Sequence, residues 1–166
     1  NTLTQDLSVT VSPGQAQTVE LSGCDIVVNA DTTCDLYATV FDQYDNLVWF
    51  DEVGTYSLSS TNGQTEKLQP NTPHSQPPQA DVLIGRFTGH DVGTWALSIT
   101  TDAGLTDLIL VEVSHGAMAS LELNASASTI TADEVVYLNT TRIDVRGNRL
   151  PVSLPAENWT SIADGQ

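Results

Sequence analysis

The chain has 166 residues, with 21 Asp and Glu against 5 Lys and Arg, a formal net charge of −16 and 40% hydrophobic residues. That acidity argues against nucleic-acid binding, which needs a basic surface, and against docking on an anionic membrane; the apolar content is too high for a disordered acidic tail. No run approaches 18 apolar residues, so nothing in this segment reads as direct membrane insertion.

From the N-terminus, Leu7, Val9 and Val11 alternate with polar residues as a half-buried strand does, and Ser12-Pro13-Gly14 ends the run. Val19 and Leu21 repeat the pattern, followed by Leu36, Ala38 and Val40. A turn over Asp42–Asn46 leads to another apolar stretch, where Trp49 and Phe50 straddle the two faces of a strand. The Pro-rich segment Gln69–Gln79 has no alternating face and reads as a loop elaboration that supplies no central strand. Trp95, Leu97 and Ile99 then alternate, with Trp95 expected between two sheets, and the apolar run Leu108–Val113 follows. Strong helical periodicity is absent. The chain is expected to be all-β, a two-sheet antiparallel sandwich.

Sliding the chain against itself by 102 positions aligns residues 6–64 with 108–166 without a gap, at 15 identities in 59 positions. Composition alone yields about 4. The shared positions include Val9/Val111, Val11/Val113, Gly14/Gly116, Leu21/Leu123, Leu36/Leu138, Asp42/Asp144 and Asn46/Asn148. A period near 100 residues is the size of one sandwich rather than of a solenoid turn. Residues 1–14 therefore read as the last strand of an upstream unit, or as a donor strand. Residues 15–115 are one complete repeat, and 116–166 the N-terminal half of a second, truncated or completed by another chain.

At the centre of each copy a strand runs into D-x-x-x-N: TVFDQYDNLV over Thr39–Val48 and TRIDVRGNRL over Thr141–Leu150. Asp and Asn accept left-handed backbone and bond their own main chain there. With HGAMASLELNAS and VGTWALSITT, these segments resemble the tandem bacterial and archaeal Ig-like domains of adhesins, invasin-like proteins and S-layer proteins. The resemblance implies an immunoglobulin-like fold and an extracellular or cell-surface location. Two features depart from the family pattern: Asp45 stands where glycine is usual, and Gln69–Gln79 has no counterpart.

Cys24 and Cys34, ten residues apart, are expected to close a disulfide in the oxidising compartment that the resemblance implies; two buried thiols are the alternative. Three N-x-S/T sequons at Asn124, Asn139 and Asn158 would suit an exported glycoprotein, although Thr- and Asn-rich strands also generate sequons freely. Calcium is the one cofactor weighed, with Asp42, Asp45 and Asn46, matched by Asp144 and Asn148, as its ligands at a junction. The turn already accounts for that Asp–Asn spacing, so a hydrogen-bonded turn is the favoured reading. His74, His90 and His115 fall in no nucleophile or metal motif, and no enzyme is expected.

The expected function is a non-enzymatic structural segment, a stalk or a surface-layer or filament component, whose partners are neighbouring Ig-like domains. One alternative is an adhesin module that binds a glycan or protein through loops such as 65–80. Another is a strand-donating subunit of a self-assembling filament.

Overall fold

The computed structural model describes residues 8–24, 27–70, 74, 76–131 and 133–152. Among the described residues eight strands build a sandwich: β1 (Thr18–Gly23), β2 (Val27–Asn29), β3 (Thr33–Phe41), β4 (Tyr56–Ser60), β5 (Gln64–Lys67), β6 (Val82–Thr88), β7 (Gly93–Thr101) and β8 (Thr106–Ser114). They form two four-stranded sheets, ordered β1-β3-β6-β5 and β2-β8-β7-β4. Period-two alternation places Val19, Leu21, Leu36, Ala38, Val40, Ile84 and Phe87 on the inner face of the first sheet. Leu97, Ile99, Val111 and Val113 face them from the second, and together these side chains make one core. Every buried hydrophobic among the described residues lies between Ala16 and Val113.

Several details differ from the sequence expectation. The sandwich is not wholly antiparallel, because β2 runs parallel to β8, pairing Val27 with Glu112 and Asn29 with Ser114. After β1 the chain leaves the first sheet and lies along the last strand of the second. Trp49 and Phe50 stand at the start of a 3-10 helix, Phe50–Val53, rather than on a strand. Three residues per turn bring Phe50 and Val53 to one buried side and leave Asp51 and Glu52 outside. Part of the 65–80 segment is β5, an edge strand on β6, and the irregular path begins only after Leu68, whose N–H donates to Ile84 O at 2.8 Å. Trp95 packs at the core margin, half-buried, with Nε1 donating to Asp91 O at 2.9 Å.

The two sheets are tied where β4 passes to β5. The Tyr56 hydroxyl crosses to Ile84 O at 2.6 Å, and burial pushes its pKa up to about 12. Lys67 donates to Tyr56 O at 2.7 Å and lies over the Tyr56 ring.

A third sheet, β11-β10-β9, follows the sandwich: β9 (Met118–Ala125), β10 (Leu138–Asp144) and β11 (Arg149–Val152). Leu121, Leu123 and Leu138 correspond in the 102-residue register to Val19, Leu21 and Leu36. The first three are 47%, 55% and 48% exposed; their counterparts are 5%, 5% and 0% exposed. The inner face of this sheet has no facing sheet among the described residues.

Candidate functional site at the unit junction

Ser114, His115 and Gly116 carry the chain from the sandwich into the third sheet, and the D-x-x-x-N turn of β10 and β11 sits against this crossing. Asp144 ends β10 and is 2% exposed. Its carboxylate accepts from Gly116 N (2.9 Å), Arg146 N (2.9 Å), Asn148 N (2.9 Å) and Asn148 Nδ2 (2.9 Å). Main-chain bonds from Asp144 N to Asn148 O and from Gly147 N to Asp144 O close the turn, with Gly147 at φ 87°. Left-handed backbone of this kind is where glycine costs least.

The same bonds recur 102 positions earlier. Asp42, 3% exposed, accepts from Gly14 N (2.8 Å), Tyr44 N (2.8 Å), Asn46 N (3.0 Å) and Asn46 Nδ2 (3.0 Å). Asp45 takes the left-handed position at φ 62°. In each copy, then, one carboxylate stitches the incoming chain to the turn. These donors set the acidity of both groups. The Asn46 side chain and the Gly14 N–H lower Asp42 from 3.8 to about 2, outweighing burial. At Asp144 burial opposes the shift, but the Asn148 side chain and the N–H groups of Gly116, Asn148 and Arg146 prevail and hold it at about 2.

In the second copy the turn also grips the sandwich. Asn148 Nδ2 donates to His90 O at 2.9 Å, and Asn148 Oδ1 accepts from Val92 N at 3.2 Å. Arg146 pairs with Asp31, and Arg142 Nη2 donates to Gly116 O at 2.5 Å. Gly116 is required by contact: a Cβ there would lie 2.6 Å from Ala30 O. The junction is thus specific and polar, assembled from the β2–β3 turn, the β6–β7 loop and the Asp144 turn beside an open cleft lined by Ala30, Asp31, Arg142 and Val145.

The residues weighed for calcium fall on two separate turns, Asp42, Asp45 and Asn46 on one and Asp144 and Asn148 on the other, with Asp45 exposed at the tip of the first. Both oxygens of Asp42 and of Asp144 accept from N–H groups, and each Asn presents its amide nitrogen to the carboxylate. Among the described residues no group of three or more His, Cys, Asp or Glu side chains is placed to hold a metal.

Cys24 and Cys34 are bonded to each other, with Cα atoms 5.0 Å apart. The bridge pins the end of β1 to β3 where the chain departs for β2. Asn124 and Asn139 are exposed and lie directly opposite each other on β9 and β10. Side-chain alternation puts both on the face away from Leu123 and Leu138. Asn158 lies outside the described residues. His74 stacks on Trp49, with ring centroids 4.9 Å apart, and its Nε2 meets Asp51 Oδ2 at 2.7 Å. His90 and Asp91 lie between β6 and β7; His90 enters the junction through its backbone carbonyl, whereas the Asp91 backbone bonds Asn62 and Trp95 within the sandwich.

Sequence reasoning found the turn in both copies but missed Asp31, His90, Val92 and Arg146 as junction residues. Only the repeat hinted at them, since a change from Tyr44 to Arg146 at equivalent positions of one turn marks a difference in surroundings.

No family model matches the chain, and no curated protein matches it in sequence. Among solved structures it is similar to domains 5–6 of the S-layer protein SbsC, at TM-score 0.44 and 16% identity, over 83% of this chain and 66% of that one. Domains 4–9 of surface layer protein SbsC give TM-score 0.44 and 16% identity, covering 85% of this chain and 22% of that one. The chain therefore spans less than two thirds of the structures it resembles.

Proposed function

We propose that this chain is a non-enzymatic structural segment of an extracellular or cell-surface protein, built from Ig-like units joined end to end. Residues 15–115 are one unit, 1–14 carry the last strand of a preceding one, and 116–166 begin the next. The observation that supports this reading is the recurrence of one hydrogen-bonded clamp, Asp42 on Gly14 and Asp144 on Gly116, at the entrance of each copy. The exposure pattern agrees with it. Val9 and Val11, 73% and 86% exposed, are the register counterparts of Val111 and Val113, 1% and 0% exposed. Mechanically, such a segment sets reach and stiffness: each sandwich resists extension by strand pairing, and each polar junction limits bending between units.

Limited proteolysis of intact source cells tests the location; release of peptides from this chain without lysis is the expected result, and peptides appearing only after lysis would refute it. The flanking coding sequence tests the array. Further Gly and D-x-x-x-N pairs spaced about 100 residues apart are expected on both sides. The exposed Val9 and Val11, which pair with no described strand of this chain, also favour a second reading, donation of this segment as a strand to a neighbouring chain, which concentration-dependent association in sedimentation would support.

A further inference from the structure

The two entrances are built alike but differently occupied. At the second, Asn148 divides its carboxamide between its own Asp144 and the β6–β7 loop of the sandwich, and Gly116 lets Ala30 O approach its Cα. At the first, Asn46 Nδ2 is held by Asp42, while no described residue donates to Asn46 Oδ1. Gly14 is likewise glycine; a Cβ there would press on the Asp42 side chain, with Oδ2 at 3.1 Å, but its three nearest neighbours include no backbone carbonyl like the Ala30 O that lies against Gly116. Tyr44, the counterpart of Arg146, is 74% exposed. A glycine without the carbonyl contact of its counterpart, a presented carboxamide and an exposed aromatic ring therefore surround the same turn whose copy carries a partner.

We propose that Gly14, Tyr44 and Asn46 form a second junction site, whose occupant is the loop end of a preceding Ig-like unit of this kind. This deepens the tandem reading above and rests on it. The occupant's β6–β7 loop lays a backbone carbonyl against Asn46 Nδ2 and a backbone N–H against Asn46 Oδ1, as His90 and Val92 do with Asn148. Its β2–β3 turn seats a carbonyl on Gly14, as Ala30 does on Gly116. The chemistry differs at one point. Where Arg146 pairs with Asp31, Tyr44 offers a neutral hydroxyl, which donates to a carboxylate without forming an ion pair. The upstream junction is therefore less sensitive to salt than the one within the chain.

The test inserts a second copy of residues 13–114, one 102-residue repeat, ahead of Pro13 in the whole chain, so that the added unit keeps its own Gly14 and enters the original one in register. Hydrogen exchange is read at the Val92 amide of the added unit. In the parent chain the Val92 amide donates to Asn148, and Asn148→Ala should deprotect it, which calibrates the signal. In the duplicated protein the added Val92 amide should exchange at least about ten-fold more slowly than in a variant carrying Asn46→Ala in the following unit. Gly14→Ala should release the same amide, while the Asn46 amide, which donates to Asp42, stays protected and shows that the turn itself is intact. Raising salt should loosen the Arg146 junction before this one. An added Val92 amide that exchanges equally fast with and without Asn46, while β6–β8 of the added unit stay protected, overturns the junction site and leaves the tandem reading standing. Loss of protection throughout β6–β8 of the added unit overturns the unit boundaries, and the site with them.

Discussion

Asp45 and Gly147 occupy the same left-handed corner of the same turn, at φ 62° and 87°. An L-residue with a Cβ is strained there by roughly 1 kcal/mol, less for Asp than for most. Asp45→Gly should therefore be neutral to stabilising by at most about 0.5 kcal/mol in chemical denaturation, after the extra chain entropy of glycine is set against the relieved strain. A clear loss of stability would mean that the Asp45 side chain is used. The clamp carboxylates make a separate prediction about acid. Asp42 and Asp144 sit at about 2 in the fold against 3.8 for a free side chain, so folding favours their charged forms. Their contribution is complete above pH 4 or so and is lost as pH falls through about 2. Thermal stability should decline across that window. Asp42→Asn and Asp144→Asn should each lower the melting temperature at neutral pH and flatten the acid decline, as calorimetry from pH 7 to 2 would record.

At the scale of strands, one residue type has opposite weight in the two copies. Leu36 on β3 is fully buried, whereas Leu138 on β10 is 48% exposed. Leu36→Ala should cost about 2–5 kcal/mol, and Leu138→Ala within about 0.5 kcal/mol in this chain. Equal losses in denaturant titrations would mean that the third sheet is covered in solution. The β1–β3 pair carries the other test. A bridge between Cys24 and Cys34 closes a short loop, so reduction or the double Cys→Ser change should cost ~2–3 kcal/mol. Intact mass should be two hydrogens below that of the reduced protein. Quantitative alkylation without reductant would reject the bridge.

At the scale of the whole chain, the five basic residues are unevenly placed. Arg142, Arg146 and Arg149 all belong to the second copy, and the first two act at the junction. In a molecule with 21 acidic residues these arginines do local work that general charge cannot. Arg146→Ala removes the pair with Asp31 but leaves the Asn148 contacts, so the junction should loosen rather than come apart. A modest rise in exchange at Val92, with the sandwich strands unaffected, is the expected result; full release of that amide would mean that the ion pair, not Asn148, holds the units.

The class of fold was legible along the chain because β-strands write themselves at period two. Val19 and Leu21, Leu36 to Val40, and Leu97 to Ile99 each carried their own burial pattern. The D-x-x-x-N turn was equally local, since Asp and Asn bond the backbone within four residues. Three things were decided only when the chain folded. Pairing of β2 with β8 joins residues 85 apart in sequence, such as Val27 and Glu112, and no local pattern encodes such a choice of partner. The 3-10 helix at Phe50–Val53 arises where the chain passes from one sheet to the other, which outweighs the strand preference of its aromatics. The junction sets Asp31, His90 and Val92 beside Arg146 and Asn148, residues whose types announce nothing singly. Their role comes from position: two of them contribute only main-chain groups, which every sequence has and only tertiary structure can aim.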